Sequence, residues 1–332
     1  MTEPAAPAKR RRARSRARHR AELVLFRLTA GGLSLLPRRA RERVASRLAI
    51  LGVRAGRSRR RILLENLAVA FPAKSPDEIA RIAKESVASL GQAFVDFLEV
   101  SAMSEEEIRS RIRVVGEENL RQARSRGKGV FLLSAHLGGW ELGAIRAGLL
   151  GEPIAPVVRP LDNPLLEKEL SRRRTRFGNR PIAKRQAARD ILSALRRGET
   201  VAILVDQNVL AREAVFVPFF GRLAATTPAL ALFQLKTDAS VVPVFTWPEG
   251  GGRYRLEFEK PIEAAEFRNG AEREGAVLKA TARYMEVTES AIRRAPAAWL
   301  WVHNRWRTRP EGDVPRATKT MSPEPKAANP KS

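Results

Sequence analysis

The sequence predicts an α/β fold in which helices flank a mostly parallel central sheet, with a helical N-terminal region ahead of it. Short apolar runs typical of buried strands lie at 130–133, 154–158, 201–205 and 241–245. Helical stretches separate these runs, and alternation of this kind indicates a layered α/β domain. Apolar residues make up 44% of the 332, which is enough for a sizeable core.

The helices are predicted from their end signals. Residues 75–78, Ser-Pro-Asp-Glu, form a capping box with proline at the first helical position, followed by an amphipathic stretch. Asn163-Pro164 begins a helix that ends at Gly178, another helix runs from about 186 to 197, and a long one covers 270–295. Residues 254–258 alternate in polarity and are predicted to form an edge strand.

The chain is strongly basic, with 61 Lys and Arg against 36 Asp and Glu and a net charge of +25. Residues 1–20 hold eight of these cations and one acid, and are predicted to be a disordered basic arm. Residues 310–332 are predicted to be a disordered tail, which leaves 21–309 as one domain. Such a charge attracts polyanions: nucleic acid, an anionic membrane, lipid phosphates or an acidic protein. The absence of cysteine excludes disulfides and thiolate chemistry.

Residues 21–60 are predicted to be the membrane-associating helical part of the domain. The apolar stretch 23–37 is interrupted by Arg27 and is shorter than the roughly 20 residues that span a bilayer. An apolar face beside a basic arm is typical of a helix lying in an anionic membrane interface. An ordinary core helix with a solvated tail is the alternative.

His136 is the strongest candidate for a catalytic side chain. It directly follows the apolar run at 130–133, and open α/β sheets bind their ligands at the carboxyl ends of strands. Gly138 and Gly139 allow close backbone approach, and Glu141 opens the next helix. A carboxylate facing the imidazole would fix its tautomer and let it deprotonate a hydroxyl. A hydrogen-bonded core histidine is the alternative interpretation.

Other catalytic classes find little support in the sequence. No Gly-x-Ser-x-Gly elbow surrounds Ser134, and no Walker motif or dinucleotide loop is present. A His–Glu pair without a serine or cysteine nucleophile suits direct attack by a bound hydroxyl on an activated acyl group. The segment 159–197 adds twelve cations against four acids, including a cluster at Arg172, Arg173, Arg174 and Arg176.

The pattern His136-x4-Glu141 resembles the His-x4-Asp/Glu motif of glycerolipid-type acyltransferases. The wider resemblance is to the late acyltransferases of lipid A biosynthesis, of lauroyl and myristoyl type, in the lysophospholipid acyltransferase superfamily. It covers roughly 20–310 and is carried by Asn66-Leu67, Phe71-Pro72, SAHLGGWELGA, VVRPLDNP, VAILVDQN, VPFFGRLAATTPALA and WLWVHNRWRTRP.

This resemblance implies an acyltransferase-like fold and an O-acyltransferase that needs no cofactor or metal. It also implies an acyl carrier protein thioester as donor, a lipid A precursor hydroxyl as acceptor in lipopolysaccharide biosynthesis, and attachment to the cytoplasmic face of the inner membrane, peripherally or by one N-terminal anchor. His136 would deprotonate the acceptor and Glu141 would polarise it. Arg159 would bind substrate or the developing oxyanion, and Asp206 would be a supporting acid.

Several side chains have two interpretations. Arg159 and Asp206 could instead form an internal ion pair. The arginine cluster, with Lys184 and Arg185, would suit an acidic carrier protein or lipid phosphates. The remaining candidates are aromatic: Phe216, Phe219 and Phe220 could line an acyl channel or belong to the core, and Trp299, Trp301 and Trp306 could form an interfacial belt or simply pack.

Two alternative functions stay open. The same chemistry could serve another glycolipid, such as a phosphatidylinositol mannoside. A basic nucleic-acid-binding protein would explain the charge, but it would not explain a histidine and a glutamate beside paired glycines. No known nucleic-acid-reading motif occurs in the sequence, and we therefore expect no nucleic acid partner.

Overall fold

A computed structural model describes residues 16–184, 187–268 and 272–312. Its seven-stranded sheet has the order β1-β9-β8-β2-β5-β3-β4, and β6 and β7 form a separate hairpin. Strands β8, β2, β5, β3 and β4 run parallel, whereas β9 is antiparallel to β8. The strands are β1 Ile112–Val115, β2 Val130–Ser134, β3 Ile154–Val158, β4 Ile182–Ala183, β5 Thr200–Leu204, β6 Val215–Phe219, β7 Arg222–Thr226, β8 Ser240–Gly250 and β9 Arg253–Phe258. The predicted α/β class with a mostly parallel sheet is confirmed.

Twelve α-helices in the described ranges surround this sheet. They are α1 Arg16–Ser34, α2 Arg38–Ala55, α3 Arg57–Ala70, α4 Pro76–Glu99, α5 Glu105–Arg111, α6 Glu117–Ser125, α7 Trp140–Gly148, α8 Pro164–Thr175, α9 Ala187–Arg196, α10 Ala229–Thr237, α11 Ala265–Arg268 and α12 Arg273–Arg294. The predicted helical N-terminal region is present as α1 to α3. The predicted capping box is also confirmed, because Ser75 and Glu78 bond each other's backbone N–H groups.

Two predictions differ from the structure: where the N-terminal helix begins, and which strand lies at the edge of the sheet. Residues 16–20, predicted to be disordered, form the start of α1; the rest of the basic arm, 1–15, and residues 313–332 of the predicted tail lie outside the described residues. The strand predicted at 254–258 is present within β9, but its predicted position at the edge of the sheet is wrong, because β9 lies between β8 and β1. Strand β1 has only four residues, including the polar Arg113, which is too short to give a clear strand pattern.

The sheet buries both of its faces. Phe131 and Leu133 of β2 point into one apolar cluster, which also contains residues of α3, α9, α10 and α12. Val130 and Leu132 point into the other cluster, under α6 and α7. A strand covered on both faces needs apolar residues at every position, which explains the continuous apolar runs in the sequence.

The aromatic residues near the C-terminus belong to the first of these clusters. Trp299, Trp301 and Trp306 are buried, so they pack in the core and form no interfacial belt. Phe219 and Phe220 are buried in the same cluster and contact these tryptophans edge-on or at a tilt. The core interpretation of these aromatics is therefore the correct one.

The segment between β2 and α7 depends on Gly138. Its φ of 57° lies in the left-handed region, and an added Cβ would come within 2.0 Å of the Thr246 carbonyl oxygen. The Gly138 N–H donates to the Ala298 carbonyl oxygen. These contacts pass the chain closely over β8 and hold the residues just before Gly138 at the carboxyl edge of the sheet.

Candidate active site

His136 and Asp206 meet at the carboxyl ends of two neighbouring strands. Ser134, the last residue of β2, pairs in register with Leu204, the last residue of β5. His136 and Asp206 each lie two residues beyond, so the parallel register brings them to the same place. His136 Nδ1 lies 2.9 Å from Asp206 Oδ1, and the His136 backbone N–H donates to Oδ2 at 2.9 Å.

The Asp206 carboxylate is almost completely buried, at 1% exposure, and has a third donor. The indole Nε1 of Trp299 donates to Oδ2 at 2.7 Å. Burial alone would raise the pKa of Asp206, but the His136 charge and the hydrogen bonds from His136 and Trp299 lower it to about 2. The aspartate is therefore ionised at neutral pH and accepts the proton on His136 Nδ1.

The environment of His136 favours its protonated form. Burial alone would lower the pKa of His136, but the charge and hydrogen bond of Asp206, and then the charge of Glu141, raise it above 6.5. With Nδ1–H bound to Asp206, the neutral ring carries its lone pair on Nε2. His136 is thus a base of increased strength whose reactive nitrogen is Nε2.

Gln207 lies beside that nitrogen, with its side-chain Nε2 3.2 Å from His136 Nε2. The amide donates to the lone pair of the neutral ring, so an incoming hydroxyl has to take its place. The loop that carries Gln207 is fixed by Asn208, whose backbone N–H donates to Nε2 of His303 at 2.9 Å. Burial lowers the pKa of His303 to about 4, which keeps that ring a neutral acceptor.

The expected contact between Glu141 and His136 is wrong: Asp206 holds the imidazole. Glu141 instead accepts hydrogen bonds from Arg174, at 2.6 Å from Nη2 and 3.0 Å from Nε. Arg174 is largely buried on α8 and needs a counter-charge, which the first turn of α7 supplies. Glu141 lines the same cavity as His136, and its negative charge helps to raise the pKa of the His136 imidazole.

The arginines of α8 do not form one anion-binding surface. The guanidinium of Arg173 donates to the carbonyl oxygens of Leu98 and Glu169. Arg176 donates to the carbonyl oxygens of Ser101 and Met103. The side chain of Arg172 is 63% exposed, whereas those of Arg173 and Arg174 are 11% and 15% exposed. Arg173, Arg174 and Arg176 therefore anchor α8 within the protein, and the first two sit beside Phe26 and Phe97.

A cavity of about 460 Å³ opens between the sheet and α7, with His136 in its wall. Its mouth is polar and includes Arg159 and Lys184, whereas its interior is apolar, with Leu132, Ala144, Ala147, Ile154, Ala202, Val244 and Leu256 among its lining residues. Arg159 is exposed and forms no ion pair with Asp206, so the ion-pair alternative is wrong. The predicted phenylalanines do not line this cavity, and Arg185 lies outside the described residues.

Two residues of the site, Trp299 and Gln207, are not predicted as such from the sequence, and Asp206 is predicted without its contact to His136. One signal was available: each residue of the pair follows its apolar run at the same distance. This signal identifies the pair only when β2 and β5 are known to be neighbours, and the sequence does not give the order of the strands. Ser134 donates its hydroxyl to the Val244 carbonyl oxygen at 2.7 Å, in agreement with its weak candidacy as a nucleophile.

An α/β sheet with a histidine–carboxylate pair above an apolar cavity is the class of site that an acyltransferase needs. The profile described as bacterial lipid A biosynthesis acyltransferase matches residues 11–308. The chain therefore belongs to the bacterial lipid A biosynthesis acyltransferase family.

Curated relatives match most of this chain. The lipid A biosynthesis lauroyltransferase of Escherichia coli is 30% identical, with 81% of this chain and 86% of that protein covered. The palmitoleoyltransferase of the same organism is also 30% identical, over 80% and 87%. A lipid A biosynthesis acyltransferase of Haemophilus influenzae is 28% identical, over 85% and 86%.

We expect the pKa of His136 to be above 6.5 and to fall when Asp206→Asn removes the neighbouring charge. The sign follows because Asp206 stabilises the imidazolium more than the neutral ring. Nuclear magnetic resonance titration of the histidine ring nitrogens measures this pKa directly. Asp190→Asn, at an exposed acid on α9, is the matched control and should leave it unchanged. An unshifted His136 titration in Asp206→Asn would show that this carboxylate does not control the imidazole.

Proposed function

We propose that this protein transfers a fatty acyl chain from an acyl carrier protein thioester to a hydroxyl of a lipid A precursor. The observation that carries the proposal is the position of His136 in the wall of a cavity whose lining is largely apolar and whose mouth carries Arg159 and Lys184. A base and a channel for a hydrocarbon chain are the two things that such a transfer requires. The activities named for the relatives support it, since they are lauroyl, palmitoleoyl and myristoyl transfers in lipid A biosynthesis.

The proposed reaction begins with proton transfer from the acceptor hydroxyl to His136 Nε2. The hydroxyl oxygen attacks the thioester carbonyl carbon, and a tetrahedral oxyanion forms. When the oxyanion collapses, the C–S bond breaks and the carrier's thiolate takes the proton back from Nε2. Asp206 keeps Nδ1 protonated throughout and stabilises the transient imidazolium, as an orienting carboxylate does in other histidine-based sites.

Arg159 and Glu141 are the further participants in this proposal. Arg159 is exposed at the mouth, directly after β3, where it can meet the oxyanion or an anionic part of a substrate. Glu141 is fixed by Arg174 on the cavity wall and adds negative charge near the imidazolium. A carboxylate held in this way could also accept a hydrogen bond from the acceptor and polarise its hydroxyl.

The N-terminal helices support a position at an anionic membrane surface. Leu25 and Leu28 on one face of α1 are 67% and 69% exposed, and Leu48 and Leu51 of α2 are also exposed. None of the described helices has both the length and the hydropathy required to cross a bilayer. Exposed leucines beside arginines suit a lipid interface, whereas nucleic acid would need the cations alone. We infer attachment at the cytoplasmic face of the inner membrane, peripherally or by one N-terminal anchor, where both proposed substrates would be met.

His136→Ala should abolish the transfer. In cells that lack this protein we expect lipid A without one secondary acyl chain, restored by the wild type but not by His136→Ala. A positioned general base contributes about 10²- to 10⁴-fold, so little product should remain. Mass spectrometry of lipid A is the measurement, and Asp190→Asn is the complementing control. Restoration by His136→Ala would refute the catalytic assignment, and normal lipid A in the deletion would refute the proposed acceptor.

Glu141→Ala should also lose most of the activity, because the imidazolium then lacks a second nearby negative charge. If Arg174 acts only by holding Glu141, Arg174→Ala should add little to the loss in the double variant. Initial rates of purified variants measure both effects, and thermal unfolding checks that each variant is folded. Glu141→Gln separates the roles, since it keeps a hydrogen bond to Arg174 and removes the charge. A near-normal rate for Glu141→Ala would remove this residue from the mechanism.

A further inference from the structure

A second groove lies between α2, α3 and α4, and shares no lining residue with the cavity that contains His136. Its volume is about 430 Å³. The interior is apolar and includes Ile50, Val53, Leu63, Leu64 and Val87, whereas the exposed Arg54, Arg60 and Lys84 complete the lining. The groove therefore combines an apolar floor with a cationic rim drawn from all three helices.

The three rim cations are not neutralised by any carboxylate in the part of the chain that the structure describes. Arg54, Arg60 and Lys84 form no ion pair with a carboxylate in the described ranges. The acids that lie closest in sequence are paired elsewhere, Glu65 with Arg61 and Glu85 with Arg81. The surrounding segment 38–70 carries ten arginines and two glutamates. A concentration of like charge around an apolar groove is costly unless an anion occupies the rim.

The start of α3 increases this positive charge. Its first five residues include Arg57, Arg59, Arg60 and Arg61, its first turn contains no acid, and Gly56 provides no side-chain cap. Cations are unfavourable at the positive end of the helix dipole, where anions are favoured. This sequence is the opposite of what helix stability alone would select, and it adds to the attraction of the groove rim for a negative group.

We propose that this groove binds one anionic phospholipid, with the phosphate between the three cations and an acyl chain over the apolar floor. Two features favour a lipid over an acidic protein. Leu51 is exposed on α2 one helical turn before the rim residue Arg54, which places an apolar side chain next to the rim. The groove volume of about 430 Å³ is also large enough to hold part of an acyl chain. The proposal extends the membrane attachment proposed above from a diffuse charge effect to a defined lipid site.

Vesicle binding tests the cationic rim. The full chain is mixed with phosphatidylcholine vesicles that contain or lack phosphatidylglycerol, and the bound fraction is measured by flotation. The triple variant Arg54→Gln, Arg60→Gln, Lys84→Gln should bind the anionic vesicles at least about tenfold more weakly, since each cation near such a surface contributes appreciably. The matched control removes the same charge from exposed cations of α9 and α10, Arg189→Gln, Arg196→Gln, Lys236→Gln. It should lose much less.

Lipid retention tests the apolar floor without a charge change. Native mass spectrometry with added phosphatidylglycerol should show one lipid retained per wild-type chain. Ala80→Trp places an indole in the groove and should lose this lipid. Ala68→Trp, at an exposed position on α3, is the control and should keep it. The acyl transfer rate in detergent micelles, which depends on the other cavity, should be unchanged in Ala80→Trp; this confirms folding and separates the two proposals.

Either of two results would overturn the lipid site. One is equal loss of vesicle binding in the rim and control triple variants, which would mean diffuse charge attraction. The other is a pair of findings: Ala80→Trp retains the lipid as the wild type does, and the rim triple variant no longer binds acyl carrier protein. That result would assign the groove to a protein partner.

Discussion

The site depends on the hydrogen bonds that the buried carboxylate of Asp206 accepts. This carboxylate accepts the Nδ1 proton of His136, the backbone N–H of the same residue and the indole N–H of Trp299. A buried charge is tolerated only when its hydrogen-bonding capacity is filled, and here three donors fill it. One side chain thereby joins the ends of β2 and β5 to the chain segment that follows α12.

That C-terminal segment forms a second frame behind the pair. The buried guanidinium of Arg305 donates to the Ala225 carbonyl oxygen at 2.6 Å and to the Thr226 hydroxyl at 2.5 Å. Asn66 of α3 donates to the carbonyl oxygens of Trp301 and His303, and so connects the N-terminal helices to the same segment. The base is thus held on rigid elements, while Arg159 at the mouth is exposed. Rigid support around the reacting nitrogen and freedom at the entrance suit a large amphiphilic acceptor.

Local pattern was enough to predict the layered fold, the helical N-terminus and the placement of His136 at a strand end. It could not give the order of the strands, because neighbours such as β2 and β5, or β2 and β8, come from distant parts of the chain. The wrong partner for His136 follows from this limit: Glu141 is close in sequence, whereas Asp206 is close only because β5 lies beside β2. The predicted anion-binding cluster of arginines at 172–176 is wrong for a related reason. Arg173 and Arg176 donate to carbonyl oxygens of the segment at 98–103, which is distant in sequence.

A double-mutant cycle on the transfer rate tests most directly whether Asp206 acts through His136. The kcat/KM is measured for the wild type, Asp206→Asn, His136→Ala and the double variant. We predict that Asp206→Asn alone lowers the rate by several orders of magnitude, as loss of an orienting carboxylate does in comparable sites. In a protein that already lacks His136, the same change should lower the residual rate by less than about threefold. Losses that multiply in the double variant would mean that the two residues work independently, and would contradict the account.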